Sequence, residues 1–209
     1  MYVVASVAVS LDGCIDDAGP ERLVLSNVAD LDRVDEVRAG VDAILVGAGT
    51  VRADDPRLRV RSAGRRAARL ARGGPEHPLR VVLSTGGPLE ASARIFDGGG
   101  TVVYTTGVYT TGDTTLPGEV VAVPDLPAAL ADLARRGVGR LLVEGGSVIH
   151  TLFLTSGLVD ELHVAVAPLF VGDPHAPRFV GAGVYPRLEL VDTRAVGDVA
   201  LLTYRVPRG

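Results

Sequence analysis

Two short glycine-rich turns stand where phosphate chemistry is most easily built. Gly47-Ala48-Gly49-Thr50 follows the apolar run Asp42 to Val46, and Glu144-Gly145-Gly146-Ser147 follows Arg140 to Val143 just ahead of a helical segment. Glycine lets backbone amides approach a phosphate closely, and a helix N-terminus adds a positive field. Thr50 and Ser147 add hydroxyl donors. Neither turn completes a Gly-x-Gly-x-x-Gly fingerprint, and each also suits a tight connection or helix cap. Asp54-Asp55-Pro56 follows the first turn, offering a general acid or base, or a turn-forming Asp ahead of Pro. Adjacent side chains point in different directions, so one of the two aspartates is expected in a site. Arg38 and Arg61 supply guanidinium forks suited to a phosphate. Arg38, near a helix end, also complements the helix dipole. Glu144 closes a buried strand at its carboxyl end, where α/β sites gather, or caps backbone there. The four His show no metal-ligand spacing, and the single cysteine, Cys14, excludes a disulfide framework, so no metal site is expected.

These residues need a frame of alternating strands and helices. Val3 to Ser10 reads as a buried strand ended by Asp12-Gly13. Ser26-Asn27 offers N-caps to a helix with Val28, Leu31, Val34 and Val37 at helical spacing, closed by Gly40. Strands are expected over Asp42 to Val46, Val81 to Ser84, Thr101 to Thr105, Val120 to Val123, Arg140 to Val143 and Asp160 to Ala167. Helices are expected over Leu126 to Arg136, with Leu126, Leu130 and Leu133 inward, and over Ser147 to Ser156. Leu188 to Thr193 and Val199 to Val206 flank Gly197-Asp198 as a hairpin. This is the pattern of an α/β domain with a mostly parallel central sheet, helices on both faces and a C-terminal antiparallel hairpin. No repeat or linker divides the chain, so residues 1–209 are read as one domain, with Ser62 to Pro78 as a mobile excursion.

Composition narrows the function. All 21 basic residues are Arg, which excludes a Lys Schiff base or a P-loop Lys. The net charge of −4 argues against nucleic acid as the main partner. Residues 57–80 nonetheless hold eight Arg and a single acid, Glu76. That stretch reads as a solvated loop or short helix, or as a source of one or two Arg for an anionic ligand. The sequence opens directly into the Tyr2 to Val9 strand pattern, with no basic leader and no apolar run of membrane length, so a cytoplasmic address and no membrane partner are expected.

The motifs in this order resemble the pyrimidine reductases of riboflavin biosynthesis, the reductase part of the bifunctional deaminase-reductase. Ser10-Leu11-Asp12-Gly13 resembles the motif ending that family's first strand. Val37-Arg38-Ala39, Asp42 to Val51 and Asp54-Asp55-Pro56-Arg57-Leu58 resemble its central signature. Val143 to Gly146, Leu158 to Leu162, Ala167-Pro168 and Gly172 resemble its C-terminal half. The likeness runs over essentially the whole chain. It implies a dihydrofolate-reductase-like three-layer domain, NADPH as hydride donor and a phosphoribosylamino-pyrimidine whose ribosyl group becomes ribityl. It implies that Arg38, Arg61 and a backbone contact at Leu58 hold the substrate phosphate, with Glu144 beside the substrate. It places Ala8, Thr50, Asp54, Gly145, Gly146, Ser147 and Val148 against the cofactor. Asp54 or Glu144 is the expected proton-handling group, and a homodimer is implied. Departures are the absence of a Pro-Cys-x-x-Cys deaminase motif, Cys14 at an often basic position, and a divergent stretch from Gly19 to Ser26. Alternatives are a reductase of the same fold acting on dihydrofolate or another pterin-like compound, and a non-catalytic nucleotide-binding protein.

Overall fold

The computed structural model describes residues 1–19, 21–106 and 116–207. In chain order the elements are β1 (Tyr2–Val9), α1 (Val28–Ala39), β2 (Ala43–Gly47), α2 (Ala48–Asp54), α3 (Ala63–Ala71) and β3 (Leu79–Ser84). A 3-10 turn at Arg94–Phe96 precedes β4 (Thr101–Thr105) and β5 (Glu119–Ala122). Then come α4 (Leu126–Arg135), β6 (Arg140–Gly145), α5 (Ser147–Thr155), β7 (Glu161–Val166), β8 (Glu189–Val196) and β9 (Val199–Arg205). They fall into two compact units, one over Asp35–Leu141 and one over Tyr2–Val34 with Leu142–Gly209.

The first unit carries parallel strands in the order β5-β4-β3-β2. Every residue of β2 and β4 is buried, as a strand covered on both faces requires. α4 starts at Asp125, whose carboxylate accepts from the Ala128 N–H, and buries Leu126, Ala129 and Leu133. Leu130, expected inward, is half-buried, and Ala129 takes its place.

Within the Ser62 to Pro78 stretch, Ala63–Ala71 forms a capped helix, α3, the short helix that is one reading of the Arg-rich segment. Ser62 Oγ accepts from the Arg65 N–H, and Arg69 is buried. The Arg69 guanidinium donates to the Ala39, Val41 and Pro75 carbonyls, so it seals the end of α1 and the start of β2. Arg65 pairs with Asp35 and Arg66 with Glu76. These Arg act as scaffold, satisfying carbonyls and carboxylates that an apolar residue would leave bare.

The second unit runs β6-β1-β7-β9-β8, with β7 parallel to β1 and the last strands antiparallel. Gly197, at φ +65°, turns the hairpin. The Ser10-Leu11-Asp12-Gly13 motif is a staple. The Asp12 carboxylate accepts from Ser10 Oγ and from the Val171 and Gly172 N–H groups. Those hydrogen bonds hold its carboxyl far below the ordinary carboxylate range.

α1 corrects the sequence expectation most sharply. Val28 is exposed, Leu31, Val34 and Val37 are half-buried, and the buried positions include Asp30, Arg33 and Asp35. Asn27 Oδ1 caps the helix at the Asp30 N–H, while its amide donates to Val196 O and Asp198. Asp30 and Arg33 form a buried ion pair of 2.7 Å. Their mutual pairing offsets the burial of these charges, though Asp30 Oδ2 and Arg33 Nη1 find no hydrogen-bond partner among the described residues.

Candidate active site

In the first unit, β2 runs straight into α2, with Gly47 as its N-cap. The Gly47 to Thr50 segment is therefore a helix start rather than a loop. Thr50 and Asp54 are four residues apart on α2, so they share one face, and both are half-buried. Asp55 ends the helix in the left-handed region and accepts from the Arg94 N–H at 2.7 Å. It is the turn-forming member of the Asp-Asp-Pro motif. Leu58, buried, is also left-handed at φ +47°. Two non-glycine residues in this sparsely populated region, one on each side of Pro56-Arg57, mark a backbone held by its surroundings.

The next residues are pinned by α1. The Asp35 carboxylate accepts from the N–H groups of Arg61 and Ser62 and from Arg65 Nη1. Burial alone would raise the Asp35 carboxyl, but these hydrogen bonds and the Arg65 charge hold it below its ordinary value. The Arg61 carbonyl accepts from Arg66 Nη1. The Arg61 side chain is exposed, and among the described residues its guanidinium makes no hydrogen bond or ion pair. Arg38, one turn after Asp35, places Nη1 3.4 Å from the Arg59 carbonyl. Thus the first unit brings Arg38 and the Leu58 to Arg61 segment together.

In the second unit, Glu144 is half-buried at the carboxyl end of β6. Gly145, at φ +110°, and a cis Gly145–Gly146 peptide lead into α5, whose N-cap is Gly146. Among the described residues no side chain caps α5, so its first-turn N–H groups are left without a side-chain partner there, and Val148 beside them is exposed. The Ser147 hydroxyl donates to the Arg178 carbonyl. Ala8 is half-buried on β1, in register with Ala165 of β7.

Beneath this turn lies His150, which is fully buried, edge-on to Phe179. A Cβ on Gly145 would stand 2.8 Å from His150 Nε2. Neither ring nitrogen has a hydrogen-bond partner among the described residues. Burial pushes the imidazole down to about 4, opposed in part by Glu144. The sequence pattern singles out neither His150 nor Asp35. The only available signal for Asp35 was its spacing of one turn from Arg38.

The first unit thus presents an exposed cation on a clamped main chain, and the second presents backbone amides at a bare helix N-terminus. Both are anion-directed chemistries. With its mostly parallel strands and antiparallel C-terminal hairpin, the chain has the dihydrofolate-reductase-like α/β fold. The family model for the RibD C-terminal domain matches residues 1–202, and the chain belongs to that family.

A protein of Archaeoglobus fulgidus named 2,5-diamino-6-ribosylamino-4(3H)-pyrimidinone 5′-phosphate reductase is 36% identical over 216 residues, covering 99% of both chains. A protein of the same name from Methanothermobacter thermautotrophicus is 34% identical over 219 residues, covering 98% of each. Among solved structures, Acinetobacter baumannii RibD superposes with a TM-score of 0.84 at 27% identity, over 99% of this chain. The chain spans 58% of that longer protein's chain.

Proposed function

We propose that this chain is an NADPH-dependent reductase of riboflavin biosynthesis that converts the ribosyl group of a phosphoribosylamino-pyrimidine to ribityl. The observation that carries the reading is the end-to-end likeness to two reductases named for a diaminopyrimidinone 5′-phosphate. The residues support it. Arg61 and Arg38 grip the 5′-phosphate, and the backbone at Leu58, fixed in its left-handed conformation, approaches it. The bare first turn of α5 and the Gly145-Gly146 passage suit a pyrophosphate, which backbone N–H groups recognise without a cationic side chain. The family likeness implies cofactor contacts at Thr50 and Asp54 in the first unit and, separately, at Ala8 and Val148 in the second. One reading takes residues 1–209 as a single reductase domain.

The reaction needs the ribose opened at C1′–O4′, giving a C1′=N imine and a free hydroxyl at C4′. When bound, NADPH supplies a hydride to C1′, and the imine nitrogen takes a proton. Asp54 or Glu144 orients the hydroxyls and holds that proton. The dominant contribution of the chain is positioning, worth up to about 7–11 kcal/mol for well-aligned reactants. The edge strand β8, exposed from Glu189 to Ala195 and including the apolar Leu190 and Val191, supports a homodimer that covers it. The reading also makes the enzyme cytoplasmic; no helix among the described residues is long and apolar enough to cross a membrane.

The test is NADPH and NADH oxidation against a panel of phosphorylated ribosylamino-pyrimidines and dihydropterins. Turnover of the pyrimidine 5′-phosphate with preference for NADPH is expected. Turnover of dihydrofolate alone would establish the pterin alternative, and cofactor binding without turnover of any compound would establish a non-catalytic protein.

A further inference from the structure

We infer that Asp35 is the positioning residue that sets substrate-phosphate selectivity, by fixing the main chain from which Arg61 reaches out. This rests on the reading of Arg61 as the phosphate grip. Asp35 is 3% exposed, and its two carboxylate oxygens take N–H donors from two consecutive residues, Arg61 and Ser62, plus Arg65 Nη1. Such an arrangement does two things at once. It fixes the direction in which the Arg61 Cα–Cβ bond leaves the backbone. It also holds Ser62 where its hydroxyl starts α3 at the Arg65 N–H.

Arg66 closes the clamp from the other side by donating to the Arg61 carbonyl, so the Arg61 peptide is held at both its N–H and its C=O. The guanidinium itself is left exposed. A long side chain loses less entropy on gripping an anion when its root is already immobile. The same helix carries Arg38 one turn on, touching the Arg59 carbonyl, so α1 sets the relation between the two cations. The Asp35 charge is compensated locally by Arg65 and does not neutralise Arg61.

The experiment compares kcat/KM for the phosphorylated substrate and its dephosphorylated form in the wild type, Arg61→Ala, Asp35→Asn and the double variant. Asp35→Asn keeps the shape but loses an acceptor. It is expected to lower the phosphorylated-to-dephosphorylated ratio by about tenfold through KM, with the NADPH KM unchanged. In the double variant it adds nothing beyond Arg61→Ala. Arg65→Gln, which removes one donor to Asp35 and keeps the carboxylate, is the second variant if Asp35→Asn does not fold, and is expected to lower the same ratio by a smaller factor.

If Arg61→Ala collapses the ratio while Asp35→Asn leaves it intact, the inference is overturned and the Arg61 reading survives. Should Asp35→Asn not fold, an intact ratio in Arg65→Gln overturns it equally. An unchanged ratio in Arg61→Ala overturns both. Equal loss with both substrates in Asp35→Asn means a general structural role and also overturns it.

Discussion

The passages from β2 into α2 and from β6 into α5 look alike in sequence and differ in the folded chain. Each is a buried strand, a pair of glycines and a helix. In the first, Gly49 lies inside a seven-residue helix and a Cβ there would meet nothing within 4 Å. In the second, Gly145 sits at φ +110° and a Cβ would strike the His150 ring. The first passage leads to a charged clamp built on Asp35, Arg61 and Arg66. The second rests on a buried imidazole held neutral and offers main-chain amides beside the Glu144 carboxylate. A glycine pair after a strand is therefore a weak guide by itself. What lies under the glycine decides whether it is required.

The strongest way to break this contrast is Gly145→Ala. A left-handed backbone and an overpacked His150 together predict a loss of about 2–5 kcal/mol in unfolding free energy, read by denaturant titration. Unchanged stability would remove the contrast. Next, Arg61→Ala is expected to cost about 2–4 kcal/mol in kcat/KM for the phosphorylated substrate and little for the dephosphorylated one. Arg61→Lys recovers only part, since a point charge replaces a fork.

His150 is held neutral in the fold, with its value depressed from 6.5 to about 4. The unfolded chain takes up a proton first as pH falls, so stability from this group is full above 6.5 and is lost between about 6.5 and 4. His150→Gln should flatten the stability profile in that window by about 1–3 kcal/mol. A profile as steep as that of the wild type would mean that other groups carry it. The smallest effect is expected for Gly49→Ala, a stabilisation of about 0.5–1 kcal/mol because the helix gains a better former without a clash. A destabilisation would show that the α2 start is as constrained as the α5 start.

Much of the frame was legible because it follows local pattern. The β4 strand at Thr101–Thr105 and the α4 start at Leu126 sit where β-branched residues and an Asp cap place them. The misses are tertiary. The apolar spacing of α1 pointed to Val28 and its helical partners, yet ion pairing with Arg33 and hydrogen bonds from the Arg61 loop drew Asp30 and Asp35 inward. No local signal shows that Arg69 will be needed to satisfy carbonyls near Ala39, or that the Ser147 hydroxyl will be taken by Arg178, 31 residues away. Of the residues named from motifs, Glu144 and Gly145 end β6, Ser147 and Val148 begin α5, Arg38 and Asp54 close helices, and Leu58 and Arg61 lie in the loop before α3. Asp35 and His150, which support them, carry no motif.

The proposed reaction is hydride delivery to C1′ of an opened ribosylamino-pyrimidine 5′-phosphate. The direct measurement uses NADPH dideuterated at C4 of the nicotinamide, with mass and NMR analysis of the product. One deuterium is expected, at C1′ of a ribityl chain. A product without deuterium at C1′, or deuterium on the pyrimidine ring, would contradict it.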